Sequence, residues 1–340
     1  MKAVRFPLHG GPEVLRYEEA PDPAPRPGGV VVRVRACALN HLDLWQRRGI
    51  ERVSIPLPHI SGADVAGEVV DAGDTGVPLG QRVMLQPGLS CGRCARCLAG
   101  EDNYCPRYDV LGYQSDGGYA ELIAVPASSL VPLPDRIAFE QAAAFPLSFL
   151  TAWHMLMTRA RLRSADTVLV LAAGSGVGQA AIQIAKAFHA TVIATAGSEF
   201  KAGRAAAIGA DHVIDHYRED LVQRVRQITT NRGVDLVVEH VGEATWEKSI
   251  RCLARGGRVV TCGATTGHRA ALDLRHLFAR QLSVLGSYMG GRGELLHAAD
   301  LFVKGVLTPV VDRTYALAEA AQAQMRLESS EQFGKIVLVP

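Results

Sequence analysis

The sequence predicts an α/β protein with two domains, a β-rich one that is antiparallel and barrel-like and one with a doubly wound parallel sheet. Three observations support this fold class. The chain has 340 residues, 48% of them hydrophobic, and this length exceeds the size at which one hydrophobic core usually stops growing. Short β-rich runs fill the first part of the chain. From about residue 151, apolar strands alternate with helical stretches, which favours parallel βαβ units.

The first 150 residues read as an antiparallel, barrel-like β domain. Runs such as Val30–Arg35 are typical of strands, and Pro and Gly clusters separate them. The Pro-rich segment 21–27 is most simply a rigid surface connection. We expect residues 1–150 to fold together.

The apolar runs after residue 151 predict a parallel sheet over 151–287. Helical stretches and a terminal strand, Lys335–Val339, follow, and we expect 288–340 to return to the first domain. The predicted strands of the parallel sheet are Val168–Leu171, Val192–Ala194, Leu236–Val238, Val259–Thr261 and Leu282–Leu285.

Composition excludes several functional classes. A formal net charge of +2, without long runs of like charge, argues against nucleic-acid binding. No apolar stretch is long enough for a membrane span, and the N-terminus lacks an apolar signal core. Seven cysteines, four of them crowded into one short segment, fit a metal site in a reducing compartment better than a disulfide framework. We therefore expect a soluble, cytoplasmic protein.

A buried strand, a Gly-rich turn and a helix follow one another from Thr167 to Lys186. Small residues let backbone N–H groups approach a pyrophosphate at a helix N-terminus, where the helix dipole favours negative charge. The turn is not a clean GxGxxG, and a plain tight turn is the alternative interpretation. The strand, the helix and a second strand about twenty residues further on favour dinucleotide binding. The predicted phosphate-binding residues are Gly174, Ser175, Gly176, Val177 and Gly178.

The second strand indicates which dinucleotide is bound. An NAD site usually carries an acidic residue there for the ribose 2′-hydroxyl, but this strand ends in Ala196-Gly197-Ser198. Nothing there repels a 2′-phosphate, and Ser198, Lys201 and Arg204 could hold one by charge-assisted hydrogen bonds. NADPH is favoured, with NADH as the other possibility. The alternative is that Lys201 and Arg204 form only the solvated face of a helix.

The segment 88–108 contains Cys91, Cys94, Cys97 and Cys105. This spacing lets four thiolates converge on tetrahedral Zn²⁺ from one loop, with Gly92 and Gly100 in the tight turns. Four sulfur ligands leave no open coordination position, so we expect a structural zinc ion. Two local disulfides are the alternative.

Together these segments resemble the medium-chain dehydrogenase/reductase superfamily, which includes zinc alcohol dehydrogenases and quinone oxidoreductases. The resemblance implies a GroES-like catalytic domain built from both chain ends, a Rossmann domain, and a homodimer or homotetramer that pairs along Arg280–Gly286. It also adds His41, Thr151 and Gly263 to the expected cofactor-binding residues. The markers of the resemblance are Gly10–Leu15, Ala38–Asp43, Arg48-Gly49, Gly62–Val69, the cysteine segment, Ala172–Gly178 and Phe333–Lys335.

The catalytic zinc ligands of the alcohol dehydrogenases are replaced in this chain. Asn40, Ala63 and Leu147 stand where those relatives carry ligands, and none of the three is a good zinc ligand. Asn40 with Asp43 instead resembles the quinone oxidoreductase branch, in which an Asn lines the site. Trp45 stands where that branch often has a Tyr.

The roles of four residues stay open. His41 lies either near the cofactor pyrophosphate or on the surface. Asp64 either hydrogen-bonds within the site or is a buried acid paired with an Arg. Trp45 forms either an aromatic wall for a planar substrate or part of the core. Thr151 either contacts the nicotinamide or is the N-cap of a helix.

We expect an NADPH-dependent oxidoreductase that delivers hydride to a small electrophilic substrate, a quinone or an α,β-unsaturated carbonyl. The expected catalytic residues are Asn40, Asp43, Trp45 and Asp64, and Asn40 is the candidate that polarises the acceptor oxygen. The last proton would come from water or Tyr113.

Two alternatives belong to other classes. One is a zinc alcohol dehydrogenase with a metal site rebuilt from His41, Asp43, His59 and Asp64. The other is an NADPH-binding protein without catalysis.

Overall fold

Two β-sheets, one in each of two units, organise the structure, a computed structural model that describes all residues 1–340. The first unit comprises Met1–Leu147 and Gly291–Pro340, and the second comprises Ser148–Gly290. The first is β-rich and the second has a parallel sheet flanked by helices, so the predicted fold class is confirmed. No helix is both long and apolar enough to cross a bilayer.

The N-terminal part of the first unit is mostly β-structure. Its helices are α1 (His41–Arg48), α2 (Ala95–Leu98) and α3 (Phe139–Ala143), with 3-10 turns at Pro12–Val14, Asp102–Tyr104 and Ala127–Ser129. Its strands are β1 (Lys2–Arg5), β2 (Arg16–Glu19), β3 (Gly29–Ala38), β4 (Asp64–Asp71), β5 (Arg82–Leu85), β6 (Gly88–Leu89), β7 (Asp109–Val110), β8 (Leu122–Pro126) and β9 (Leu130–Pro132).

The second unit alternates strands and helices. Its strands are β10 (Thr167–Val170), β11 (Thr191–Ala196), β12 (His212–Asp215), β13 (Val234–Glu239), β14 (Leu253–Thr261) and β15 (Ser283–Gly286). Its helices are α4 (Pro146–Trp153), which begins in the first unit and continues as a π-helix over His154–Arg159, then α5 (Gly176–Ala187), α6 (Glu199–Ala207), α7 (Leu221–Ile228), α8 (Glu243–Cys252) and α9 (Leu274–Ala279).

The C-terminal segment completes the first unit. It contains α10 (Arg292–Val303), β16 (Val311–Ala316), a 3-10 turn at Leu317–Glu319, α11 (Ala320–Glu328) and β17 (Lys335–Val339). Strand β17 pairs antiparallel with β3.

The sheet of the first unit brings distant parts of the chain into register. Its strand order is β16-β17-β3-β4-β5-β9, and β8 also pairs with β3. Ala38, at the end of β3, is paired with Val337 of β17 and with Asp64, the first residue of β4. The ends of three strands therefore meet at one place. Paired residues share a face of the sheet, and residues two apart on a strand share it too, so Lys335 lies on the same face as Asp64.

The sheet of the second unit is parallel throughout, in the order β12-β11-β10-β13-β14-β15. The chain reverses direction across the sheet between β10 and β13, where open α/β sheets bind ligands at the carboxyl ends of their strands. The sequence pattern missed β12, because His212–Asp215 has only two apolar residues between polar ends. Strand β15 forms an edge of the sheet, and its Val284 side chain is 40% exposed.

A buried arginine joins α1 to α11. Arg47 is 1% exposed, and its guanidinium donates to Gln324 Oε1 at 2.7 Å, to the Gly10 carbonyl at 3.2 Å, and to Glu328. Arg48, on the next position of α1, donates to the same Glu328 carboxylate at 2.9 Å but is 55% exposed. The two neighbours therefore offer a matched comparison of a buried and an exposed ion pair.

We predict that Arg47→Met lowers the free energy of unfolding by roughly 3 to 5 kcal/mol, because it leaves buried acceptors without their donor. Arg48→Met should cost less than about 1 kcal/mol, since water replaces an exposed donor. Urea unfolding of both variants measures the difference. Equal losses in the free energy of unfolding would show that the contacts of Arg47 with α11 do not stabilise the fold more than the exposed ion pair of Arg48 does.

Candidate functional site

Three polar side chains meet where β3, β4 and β17 come together. Lys335 Nζ donates to Asp64 Oδ2 at 2.8 Å and to Asn40 Oδ1 at 2.6 Å, while Asn40 Nδ2 donates to Asp64 Oδ2 at 2.9 Å. The other oxygen of Asp64 accepts the Leu147 N–H at 2.7 Å. Asp64 and Lys335 are 0% and 3% exposed, and Asn40 is 8% exposed. We call Asn40, Asp64 and Lys335 the amide triad.

The sequence left two alternatives open for Asp64. Its carboxylate hydrogen-bonds to Asn40 within the candidate site. The cation that pairs with it is a lysine and not the arginine of the second alternative. Lys335 carried no predicted role, because it is a single charged residue at the start of the otherwise apolar strand β17. Only the register of β17 with β3 brings it to Asn40, 295 positions away in the chain.

Asp43 lies beside the amide triad on the first turn of α1. Its Oδ2 accepts the Asn40 backbone N–H at 2.8 Å and the Tyr119 hydroxyl at 3.0 Å. Its Oδ1 is buried without a hydrogen-bond partner. Burial raises the pKa of Asp43 from 3.8 to about 6, against the opposing effect of these hydrogen bonds. Burial likewise raises the pKa of the Tyr119 hydroxyl well above its usual value.

Two aromatic side chains lie on the more exposed face of α1. Trp45 is 36% exposed, so it is not part of the core. The His41 ring lies 6.4 Å from the Trp45 ring and is partly exposed. Tyr113, the candidate proton donor, is half-buried, and burial raises its pKa.

The four residues considered for a rebuilt metal site are not gathered as ligands. Asp43 and Asp64 use their oxygens in the contacts above, and His59 Nε2 lies 3.0 Å from the Gly112 carbonyl. The group of metal-competent side chains that does converge is the set of four cysteines.

The Gly-rich turn after β10 is built by side chains as well as glycines. Ser175 is the N-cap of α5, and its hydroxyl accepts the Gly178 N–H at 2.8 Å. Ala172 has a left-handed backbone, φ +48°, and Thr195 Oγ1 accepts the Ala172 N–H at 2.9 Å. A Cβ on Gly178 would lie 2.3 Å from the Ala172 carbonyl oxygen. The third glycine of the motif therefore allows helix and strand to pack closely, as in dinucleotide-binding turns.

The sequence pattern missed a pair of residues beside this turn. His240 Nε2 lies 3.1 Å from the Leu171 carbonyl and 3.3 Å from Ser175 Oγ, and burial lowers its pKa. Its neighbour Glu239 is fully buried and accepts four separate donors, from Val241, Gly242, Thr245 and Ser249. Glu239 and His240 could have been found as two polar residues at the carboxyl end of an apolar strand, because ligands bind at the carboxyl ends of parallel strands.

The turn after β11 carries the predicted phosphate-binding residues. Ser198 is the N-cap of α6, and its hydroxyl accepts the Lys201 N–H at 3.3 Å. Arg204 lies one helical turn further on, with its guanidinium 5.9 Å from the Phe200 ring centre. Gly197 packs against His216 and Tyr217, which directly follow β12. The sequence analysis did not find these two residues, because it missed β12.

Two further residues expected to bind the cofactor lie in the second unit. Thr151 is not a helix start, because α4 begins at Pro146, and Pro favours the first position of a helix. The Thr151 hydroxyl is buried without a hydrogen-bond partner, which fits a residue whose partner is a bound ligand. Gly263 follows β14, and a Cβ there would lie 3.1 Å from the His240 carbonyl oxygen.

The four cysteines of the segment 88–108 form a compact group without disulfides. Cys97 Sγ lies 3.5 Å from Cys94 Sγ and 3.9 Å from Cys91 Sγ, and all four sulfurs are within 4.8 Å of one another. Sulfurs at the usual Zn–S distance in a tetrahedron are about 3.8 Å apart. The cluster therefore fits a structural zinc ion. Gly92 and Gly100 have φ of +67° and +76°, as the predicted tight turns require.

The groups around Cys91 favour its thiolate form, which is the form that binds a metal. The Arg93 backbone N–H and the Arg107 guanidinium lower the pKa of the Cys91 thiol to about 5.

The segment 88–108 also contacts α10, because Asp102 Oδ1 accepts the Arg292 N–H at 2.9 Å. The cysteine segment thus supplies an acceptor at the N-terminus of a helix far away in sequence.

Comparison with known proteins gives consistent matches over the whole chain. Family models described as "Alcohol dehydrogenase GroES-like domain" and "Zinc-binding dehydrogenase" match residues 26–135 and 176–304. The quinone oxidoreductase of Pseudomonas aeruginosa is 34% identical and covers 100% of this chain and 99% of the relative. An NAD-dependent alcohol dehydrogenase of Sulfolobus acidocaldarius is also 34% identical, with 99% of each chain covered. A crystal structure named NAD-dependent alcohol dehydrogenase has a TM-score of 0.97 and 48% identity, with both chains fully covered.

We predict that Cys105→Ser lowers both bound zinc and thermal stability, because a serine oxygen is a poor substitute for a thiolate ligand. The midpoint of thermal unfolding should fall by at least roughly 5 °C. Elemental analysis and calorimetry measure the two effects. Cys252→Ala, outside the cluster, is the control and should keep its zinc. Unchanged zinc and stability in Cys105→Ser would contradict the assignment.

We predict a pH-dependent stability difference for Asp43→Asn. The folded-state pKa of Asp43 is raised from 3.8 to about 6, so the stability this group contributes is present at low pH and lost as the pH rises through about 6. The variant cannot titrate there. Its free energy of unfolding relative to wild type should rise by on the order of 3 kcal/mol between about pH 4 and pH 7.

Urea unfolding across this pH range tests the prediction. Asp135→Asn, at a fully exposed side chain, is the control for the same change in charge. A difference that does not vary with pH would show that the pKa of Asp43 is not raised in the folded protein.

Proposed function

Because this chain belongs to the medium-chain dehydrogenase/reductase superfamily and is an NAD(P)H-dependent oxidoreductase, we propose that it transfers hydride from NADPH to a quinone or an α,β-unsaturated carbonyl without a catalytic metal. A quinone oxidoreductase is among its relatives of 34% identity.

The amide triad is the observation that carries this proposal. At two of the three positions where zinc alcohol dehydrogenases carry catalytic zinc ligands, this chain has Ala63, which is buried and apolar, and Leu147. At the third, the Asn40 side chain is hydrogen-bonded to a lysine and an aspartate. Asn40 therefore offers an N–H donor where the alcohol dehydrogenases offer a Lewis acid.

We assign the second unit to cofactor binding. The turn around Ser175 and the N-terminus of α5 would hold the pyrophosphate. Ser198, Lys201 and Arg204 would hold a 2′-phosphate, with His216 and Tyr217 beside them. When bound, NADPH supplies the hydride.

We assign the acceptor-activating residues to the first unit. Asn40 Nδ2 donates to the carbonyl oxygen of the acceptor, which gains negative charge as hydride adds to the β-carbon. The enolate then takes a proton at the α-carbon, from water or Tyr113, so that an enone becomes a saturated ketone and NADPH becomes NADP⁺. Trp45 and His41 would line the entrance for a planar substrate.

Asp43 and Asp64 act through Asn40 in this proposal. Each of them contacts an Asn40 nitrogen, and both are buried. They position the amide and do not reach the substrate.

A second candidate function is oxidation of an alcohol with NAD⁺. The observation that favours it is the similarity to the crystal structure named NAD-dependent alcohol dehydrogenase, at 48% identity. It requires a base that removes the alcohol proton, or a metal ion that lowers the pKa of the alcohol.

We also propose that two copies pair along the exposed edge strand β15. An edge strand with unpaired N–H and carbonyl groups is the usual place for such pairing. Sedimentation analysis distinguishes a dimer from a tetramer.

The test of the proposed function combines metal content with turnover. Dialysed protein should contain one zinc per chain and should reduce enones or quinones with NADPH, with no loss on chelation of weakly bound metal. Two zinc ions per chain, together with alcohol oxidation, would establish the second candidate instead. If the protein bound the cofactor but turned over neither enones or quinones nor alcohols, only a binding function would remain.

We predict that the double variant Lys201→Ala/Arg204→Ala raises the KM for NADPH by roughly 10- to 100-fold, because two cations that pair with the 2′-phosphate are lost. The KM for NADH should change by less than about twofold, since NADH lacks that phosphate. The matched control is Arg224→Ala, an exposed helical arginine of the same unit. Equal changes for both dinucleotides would contradict the assignment of this phosphate site.

A further inference from the structure

We infer that Lys335 and Asp64 are positioning residues, which together hold the Asn40 amide in one orientation so that its N–H group faces the substrate. The inference rests on the proposed function and deepens it. It is carried by the contacts within the amide triad and by the opposite hydrogen-bonding character of its two charged members.

The chemistry of the two neighbours decides which way the amide points. An ammonium group can only donate hydrogen bonds, and an ionised carboxylate can only accept them. Lys335 Nζ lies 2.6 Å from Asn40 Oδ1, and Asp64 Oδ2 lies 2.9 Å from Asn40 Nδ2. A rotated amide would place its NH₂ group against the ammonium and its oxygen against the carboxylate. Both contacts would then repel, so only one orientation is compatible with this pair.

The orientation leaves one hydrogen available. An amide nitrogen carries two hydrogens, and one of those on Asn40 Nδ2 is directed at Asp64. Its oxygen is occupied by Lys335. The second N–H is therefore the hydrogen-bonding capacity that Asn40 retains for a ligand. A substrate carbonyl needs a donor, and the opposite orientation would present an oxygen that repels it.

Burial makes the constraint strict. Asp64 is 0% exposed and Lys335 is 3% exposed, so water cannot easily replace either partner. Asp64 is held in turn by the Leu147 N–H in the first turn of α4, at 2.7 Å. The carboxylate and the ammonium thus stay in place while Asn40, at 8% exposed, is the most accessible member of the triad.

The local sequence also shows that Asn40 has been diverted from a common task. Asn40 precedes α1, where an Asn side chain usually caps the helix, but its side chain hydrogen-bonds to Asp64 and Lys335 here. Asp43 accepts the Asn40 backbone N–H in its place. The side chain of Asn40 is thereby free to join the triad.

The test removes both charges while keeping hydrogen-bonding groups of similar size. In Lys335→Gln/Asp64→Asn each replacement can donate or accept, so neither orientation of Asn40 is enforced. Lys335→Met/Asp64→Asn serves the same purpose if the first variant does not fold. Lys335→Arg keeps the donor-only character and should retain more of kcat than the variants that lose the charge. Lys304→Met, which removes an exposed lysine paired with Asp300, is the control for loss of a lysine.

The measurements are kcat and KM for an enone with NADPH, the Kd for NADPH, and a double-mutant cycle with Asn40→Ala. We expect kcat to fall by roughly 10- to 100-fold in Lys335→Gln/Asp64→Asn with the Kd for NADPH unchanged. In the Asn40→Ala background the same pair of changes should alter kcat by less than about twofold, because the residue through which they act is gone.

Two outcomes would overturn the inference alone. One is a kcat within about twofold of wild type in the charge-free variant, and the other is an equal loss with and without Asn40. Wild-type protein that turns over alcohols but no enone or quinone would overturn the proposed function, and the inference with it. The activity of the wild type on enones, quinones and alcohols therefore distinguishes failure of the inference from failure of the proposed function.

Discussion

The buried ion pair of Asp64 and Lys335 constrains how the segments of the first unit come together. Taking two charges out of water is costly unless each finds its partner and further hydrogen bonds. Here the partners come from β4, from the first residue of β17, from the loop that follows β3 and from the first turn of α4. Since these segments are far apart in the chain, a correct pairing of the charges requires the correct register of β17, β3 and β4.

In the second unit, hydrogen bonds from side chains hold the glycine-rich turn in place. Its glycine-rich turn departs from a clean motif, and side chains compensate: Ser175 caps α5 and Thr195 holds the Ala172 N–H. A Cβ on Gly178 would lie too close to the Ala172 carbonyl oxygen, so this position requires glycine. Hydroxyl groups of Ser175 and Thr195 thus help to maintain the geometry that lets backbone N–H groups face a phosphate.

Much of this could be predicted because it depends on local patterns. The alternating apolar runs gave the parallel sheet, and the cysteine spacing indicated the cluster that the structure shows. Lys335 could not be predicted as a partner of Asn40, since that contact follows from strand register and not from any nearby motif. The helix that contains Thr151 was placed too late, because the pattern gave no weight to Pro146 as a first helical residue. Strand β12 was missed because two apolar residues are too few to show a period.

The place of β17 in the sheet has a consequence for biosynthesis. Chains emerge from the ribosome with their N-terminus first, so β3 and β4 are exposed long before Lys335 is made. Residues 148–290 are complete by then and can form their own core. Until β17 arrives, Asp64 has no cation and the edge of β3 that pairs with it stays open. The nascent chain therefore carries an unfinished sheet until its last residues are made.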